Sequence, residues 1–199
     1  VNVTIAHAPW LWPVMRPALR RFFDRASAGW DERTRAGSVD HLAAFAAACT
    51  RIEPAPERVL DLGTGTGESA LFLAREFPRA SVRGVDISEE MIRAAQAKVG
   101  LDPDGRIAFR VADAIGLPYG DESFDLVAQL NMPPFFDEIA RVLRPGGHVI
   151  VAASWGEATP FYTPPAVLER GLRRRGFESA TVGETDTGTW FVARKRIRG

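Results

Sequence analysis

The chain has 199 residues, 46% hydrophobic and 25% charged, and its 25 basic and 25 acidic side chains cancel to a formal charge of zero. That length suits a single domain, 1–199, with a substantial buried core, and the composition excludes disorder and lacks the basic excess of a phosphate-backbone binder. No apolar run reaches the length of a membrane span, and the lone Cys49 cannot form an internal disulfide, which suits a reducing cytoplasm.

From the N-terminus, Met15, Leu19, Phe22, Phe23 and Ala26 recur at spacings of three and four. They predict an amphipathic helix that opens at Pro13 or Pro17 and runs to about Ser27, with its arginines mostly opposite. Ser38 is a natural N-cap for a second helix whose Ala-rich body, Leu42–Ala48, reaches Cys49. Pro54-Ala55-Pro56 then punctuates the approach to the first strand.

Strand and helix patterns alternate from there. Strands are predicted at Arg58–Leu62, Ser81–Val85, Ile107–Ala112, Phe124–Leu130 and His148–Ala153, and helices at Thr66–Phe77, Glu89–Val99 and Pro134–Leu143. Ser88 caps the second of these helices, and Gly100 closes it. After Pro160, a helix near Pro165–Arg175 ends at Gly176, and strands near Phe177–Gly183 and Thr189–Arg196 flank a polar turn. The arginines gathered at both ends of the chain read as solvated faces of helices and a terminal strand, which argues against a nucleic-acid partner. The pattern predicts a doubly wound α/β fold, a mostly parallel sheet covered by helices on both faces, with ligand held at the strands' carboxyl ends. Residues 1–57 form an N-terminal helical extension, 58–153 the cofactor-type core, and 154–199 a closing helix and strand pair.

The most informative stretch is Val59-Leu60-Asp61-Leu62-Gly63-Thr64-Gly65-Thr66-Gly67-Glu68. An apolar run carries an acid near its end, glycines fall at every second position, and a helix-prone run, Ser69 to Ala74, follows. A buried strand, a tight turn and a helix in this order hold a nucleoside-type ligand. Gly63-x-Gly65-x-Gly67 is not the Gly-x-Gly-x-x-Gly of a dinucleotide turn, and no Gly-Lys-Ser/Thr follows as in a P-loop. Asp86 closes the second strand, where a carboxylate can accept hydrogen bonds from a ribose diol. Asp61 lies in the first strand's end, where an acid is costly unless something pairs with it. Backbone amides of the turn, at the helix's positive end, suit a carboxylate.

Several further segments fall in order. Gly84-Val85-Asp86-Ile87-Ser88-Glu89-Glu90-Met91-Ile92 follows the glycine turn, and Ala112-Asp113-Ala114 precedes Leu117-Pro118 and Asp121-Glu122-Ser123-Phe124-Asp125-Leu126-Val127. Glu138-Ile139-Ala140-Arg141-Val142-Leu143-Arg144-Pro145-Gly146-Gly147 comes last. With the turn, these segments resemble the motifs of the class I S-adenosylmethionine-dependent methyltransferases, specifically their small methyltransferase type 11-like members, over roughly Arg58 to Ala153. The resemblance implies a seven-stranded Rossmann-like sheet, S-adenosyl-L-methionine as cofactor and S-adenosylhomocysteine as product. It implies cofactor-binding roles for Asp61, Gly63, Thr64, Gly65 and Gly67, for Asp86, Ile87 and Met91, for Asp113 and Ala114 at the adenine, and for Leu130. Asp113 also has an ordinary alternative as a turn acid before Gly116 and Pro118. The activity implied is methyl transfer to a small-molecule acceptor; the alternatives are a protein or nucleic-acid methyltransferase and a non-catalytic cofactor-binding partner subunit.

No catalytic residue, general base or oligomeric state follows from these motifs. One cysteine and three unclustered histidines predict no metal site. His148 starts a strand and reads as structural. His41, on the helix before the first strand, has a substrate-facing reading beside the plainer one of a surface or core histidine. Asn131-Met132-Pro133-Pro134-Phe135 resembles the Asn/Asp-Pro-Pro-aromatic grip of amino-group methyltransferases, but Met132 breaks its register; a compressed loop with Pro134 opening a helix is the alternative. Phe22-Phe23-Asp24-Arg25-Ala26 and Gly29-Trp30-Asp31 resemble the family's lead-in segment, and the N-terminal helix is expected to cover the active site or to pack on a flank or a dimer contact.

Overall fold

The computed structural model describes residues 11–100 and 105–197. Three helices, α1 (Trp12–Ala26), α2 (Trp30–Thr34) and α3 (Val39–Cys49), precede β1 (Arg58–Leu62). Then follow α4 (Glu68–Glu76), β2 (Ser81–Asp86), α5 (Glu89–Val99), β3 (Ile107–Val111), β4 (Phe124–Leu130) and α6 (Phe136–Val142). The chain closes with β5 (Leu143–Ala153), α7 (Pro165–Arg173), β6 (Phe177–Glu184) and β7 (Thr189–Lys195). The sheet has seven strands in the order β3-β2-β1-β4-β5-β7-β6. Strands β1 to β5 pair in parallel, and β7 runs antiparallel to both its neighbours.

Side chains alternate across the sheet as period two demands. Val59, Leu126, Ala128, Ile150 and Ala152 pack with Ala44, Phe45 and Ala48 of α3, Leu73 of α4 and Ile92 of α5. Leu60, Leu62, Val127, Val149 and Val151 face the opposite layer, with Ile139 of α6 and Leu168 and Leu172 of α7. Both faces are therefore covered, which is why β4 is buried at every position and reads as an unbroken apolar run around Asp125 and Gln129.

Asp125, at 6% exposure, is the polar hinge of the sheet's floor: its Oδ2 accepts the amides of Glu57 (2.7 Å) and Arg58 (2.8 Å), while Arg144 pairs with Oδ1. The acid thereby joins the beginning of β1 to β4 and to the first residues of β5. Glu138 and Arg141 do the same for the loop after β3. Glu138 accepts the amide of Leu117, and Arg141 donates to the carbonyls of Leu117 and Tyr119.

Element boundaries differ from expectation in a few places. β5 begins at Leu143 rather than His148, because Leu143 already pairs with Phe124 before the register jumps to Leu126 opposite His148. A Cβ on Gly147 would come within 2.8 Å of the Asp125 carbonyl, so glycine lets the bulged strand press against β4. α6 starts at Phe136, two residues after the expected Pro134. The short α2 was not foreseen: five residues between two left-handed caps carry too little periodicity to register.

Candidate functional site

The order reverses between β1 and β4, and the carboxyl ends of these strands open a crevice. The glycine turn lies at its edge, stitched to the end of β2. Gly63 and Thr64 donate their amides to the Val85 carbonyl (2.8 and 2.9 Å), and Gly67 donates to Thr64 (2.9 Å). Gly65 donates to Oδ2 of Asp86 (3.0 Å), whose Oδ1 accepts the Ser88 amide (2.9 Å). These amides are spent inside the chain. Those of Gly63, Thr64 and Gly65 tie the turn to β2, and that of Gly67 closes the turn on itself.

The three turn glycines serve different ends. Gly67, at φ 89°, lies where a Cβ would meet Ala95 and Phe109 at 2.9 Å, so it permits close packing of α4's start on α5 and β3 rather than lining the crevice. A Cβ on Gly63 would fall 2.2 Å from Sδ of Met132, whose thioether lies directly over the turn. At Gly65 a Cβ would meet nothing within 4 Å, which leaves that point open to the crevice.

Asp86 lines the crevice, and burial raises its pKa against the opposing pull of the Ser88 and Gly65 amides; Asp24 of α1 raises it further. Asp61 lies beneath the turn with no exposure at all, accepting from Thr64 Oγ1 and Ser69 Oγ. Burial pushes its pKa up to about 6, the two hydroxyls opposing the rise and Asp86 adding to it. Its Oδ1 has no hydrogen-bond partner, an expensive condition for a buried carboxylate. Asp61 does not itself reach the crevice wall, but Thr64 and Ser69 do.

That crevice widens into a cavity of about 720 Å³. Ile87, Met91, Ala112, Ala114 and Leu130 line it together with Gly63, Thr64, Gly65 and Asp86. Met132, Pro133, Trp155, Thr159, Pro160 and Phe161 line it as well. Trp12, Leu19, Phe22 and Phe23 of α1, with Trp30 of α2, form a roof. Of the residues singled out from sequence, Gly67, Asp61 and Asp113 are the ones the cavity wall does not include.

Asp113 has another engagement. Its Oδ1 accepts from the Trp12 indole (2.8 Å) and from the Ile115 amide (3.2 Å), and its Oδ2 pairs with Arg16 (2.9 Å). The N-terminal helices are fastened to the rim by further acids: Asp24 accepts from Ser88 Oγ, and Asp31 accepts from Thr66 Oγ1 and pairs with Lys98. Arg20 pairs with Glu89. These anchors and the Trp155–Phe161 wall were not identified as site residues from sequence. The signal for Asp24 and Asp31 was present in the Phe-Asp-Arg-x-Ala and Trp-Asp segments, whereas the wall carries no motif.

A sulfonium cofactor with a ribose, an adenine and a zwitterionic amino-acid end fits this donor set. The unpartnered Oδ1 of Asp61 supplies unspent negative character near the turn, Asp86 presents a carboxylate, and the intervening wall is apolar. Among the described residues no cluster of three or more His, Cys, Asp or Glu could hold a metal, and no helix is long and apolar enough to cross a membrane.

Comparison with known proteins agrees with this geometry. Residues 59–147 match a family described as a methyltransferase domain. The O-methyltransferase cnsE of Penicillium expansum is 40% identical over 155 residues, covering 64% of this chain and 55% of that protein. A demethylmenaquinone methyltransferase of Clavibacter sepedonicus is 35% identical over 165 residues, covering 78% and 61% respectively. The chain spans about half the length of the curated relatives it matches. Among solved structures, the complex of the Haloferax volcanii Trm112 methyltransferase activator with a putative methyltransferase matches with a TM-score of 0.70 at 23% identity, covering 87% of this chain and 97% of that one. A SAM-dependent methyltransferase from Aquifex aeolicus matches with a TM-score of 0.69 at 18% identity, covering 84% and 97%. Strand order, the glycine turn facing Asp86 and these likenesses converge: the chain belongs to the class I S-adenosylmethionine-dependent methyltransferases.

Proposed function

We propose that this protein binds S-adenosylmethionine at the glycine-turn end of the cavity and transfers its methyl group to a small, largely apolar organic acceptor held at the other end. The observation that carries the reading is the continuity of one cavity from Gly65 and Asp86 to the aromatic wall of Trp155 and Phe161. Asp86 would accept the ribose hydroxyls, while Ile87, Met91 and Ala114 would cover the adenine. Asp61 would act on the ammonium of the zwitterionic amino-acid end through Thr64 and Ser69. When bound, the cofactor supplies a methyl carbon activated by its sulfonium. The chain's own part is to align an acceptor and exclude water, and the roof of α1 and α2 suits that task. The volume exceeds what one nucleoside needs, which supports a second occupant.

The experiment is calorimetric binding of S-adenosylhomocysteine, followed by transfer of labelled methyl groups to a panel of aromatic acceptors. Micromolar binding with no affinity for NAD is the expected result, and preference for NAD would overturn the reading. A second reading, an enzyme that works with an activator subunit, draws support from the Haloferax neighbour solved with its Trm112 activator. Binding of the cofactor by this chain alone, with transfer only after an added partner, would select it.

A further inference from the structure

The acceptor end of the cavity holds one titratable ring that the cofactor reading does not use. His41 lines it from α3 at 8% exposure, and its Nδ1 is fully covered with no hydrogen-bond partner. A histidine kept only for packing would normally have its buried nitrogen bonded, since an unpaired polar atom costs on the order of 1–3 kcal/mol. With Nδ1 sealed, the ring meets the cavity by its other edge, which carries Nε2.

The backbone beneath the ring is fixed with unusual care. Ser38 Oγ accepts the His41 amide, and the His41 carbonyl accepts from Ser154 Oγ (2.7 Å) at the end of β5. Ser154 in turn exchanges two hydrogen bonds with the Asn131 side chain: Nδ2 of Asn131 donates to Ser154 Oγ (2.9 Å), and Oδ1 accepts the Ser154 amide (2.8 Å). Both ends of the Asn131 amide are therefore spent on positioning α3. The side chain that would grip an amine acceptor is engaged by Ser154 through both its oxygen and its nitrogen, while the His41 ring lines the same cavity.

We propose that His41 is the proton acceptor for the substrate, and that the substrate is therefore a weakly acidic hydroxyl compound, a phenol or enol with a flat apolar body. This rests on the methyl-transfer reading above and names its substrate class. The step is a proton transfer: the acceptor's O–H bond breaks, the proton goes to Nε2, and the oxygen keeps the electron pair with which it attacks. The imidazolium so formed is balanced by Glu68 on α4 and Asp31 on α2, which act electrostatically on the ring. Both acids share Lys98, and Arg33 and Arg35 line the same cavity. The β4 and β5 ends contribute only the neutral Asn131 and Ser154. Burial lowers the His41 pKa more than the two acids raise it, so the ring rests neutral near pH 7 and can take a proton. A flat apolar body suits the neighbouring Trp30, Trp155 and Phe161.

The test uses 4-nitrophenol, whose ionised form absorbs visibly, with the protein saturated by S-adenosylhomocysteine. In wild type, the bound phenol is expected to ionise about tenfold more readily than in water, one pKa unit of stabilisation, and adding it at fixed pH should move the His41 ring resonances to their imidazolium positions. His41→Asn should retain S-adenosylhomocysteine affinity and the folded circular-dichroism spectrum while losing the phenolate band. The proposal is overturned if wild type binds the phenol only in neutral form or not at all, or if His41→Asn keeps the phenolate band. Failure of wild type to bind S-adenosylhomocysteine would instead strike the cofactor reading, and the two failures are read from separate signals.

Discussion

Trp12 and Asp113 lie 101 positions apart, yet the indole Nε1 of the first donates a 2.8 Å hydrogen bond to Oδ1 of the second. The bond clamps the beginning of α1 onto the loop after β3, and the Trp12 ring stacks edge-on against Phe135 at 4.9 Å. The acid that the family resemblance assigns to adenine is thereby also the fastening point of the cavity's roof.

Trp12→Phe keeps the ring packing and removes the donor. It should cost about 1 kcal/mol of stability and raise hydrogen exchange across residues 12–26 several-fold. S-adenosylhomocysteine should protect the same segment in wild type. Equal exchange in the two proteins, with and without ligand, would show that the roof does not depend on this bond.

Asp86→Ala should weaken S-adenosylhomocysteine binding by roughly ten- to a hundredfold through lost charge-assisted hydrogen bonds. It also deprives the Gly65 and Ser88 amides of their acceptor. Asp86→Asn keeps an acceptor oxygen for only one of the two amides and turns its NH2 toward the other, so its stability and its affinity should both fall between those of wild type and Asp86→Ala. Calorimetry alongside thermal melting distinguishes these outcomes, and unchanged affinity in both variants would remove Asp86 from the cofactor site.

Asp61 makes stability depend on pH. Burial raises its pKa from 3.8 to about 6, so the folded chain holds that proton more tightly than the unfolded chain does. The contribution is complete below the unfolded value and is lost as pH rises through the folded one. Wild type should therefore lose roughly 3 kcal/mol relative to Asp61→Asn between about pH 4 and pH 7. The amide variant still offers an oxygen to Thr64 and Ser69. Urea unfolding at a series of pH values measures this, and a flat difference between the two proteins would contradict it.

Gly63 and Met132 should be energetically coupled. An alanine Cβ at position 63 would lie 2.2 Å from the Met132 sulfur, and the φ of 76° adds backbone strain. Gly63→Ala should cost about 2–4 kcal/mol, of which Met132→Ala in the same chain should recover about 1–2 kcal/mol, the strain remaining. A double-mutant cycle by denaturant unfolding gives the coupling directly; strict additivity would mean the thioether simply swings away.

Local pattern was enough for most of the framework. Arg58–Leu62, Phe124–Leu130 and Glu89–Val99 lie where their periodicity and caps put them, because each element's own apolar spacing reports the face it buries. Glycines alternating after an acid, and a second acid closing the next strand, located the turn and Asp86 by the same local logic. What the sequence could not announce are relationships spanning many residues: Trp12 and Arg16 occupying Asp113, Met132 filling the space over Gly63, Asn131 spent on Ser154, and His41 lining the cavity with its Nδ1 covered and unpartnered. Each depends on which side chains meet when separate strands and helices converge at the sheet's carboxyl edge, and hydrogen bonds between such distant positions leave no period or spacing in the chain. The sequence by itself therefore determined the sheet and the cofactor turn, whereas tertiary packing decided which polar atoms of that turn and its neighbours remain free for chemistry.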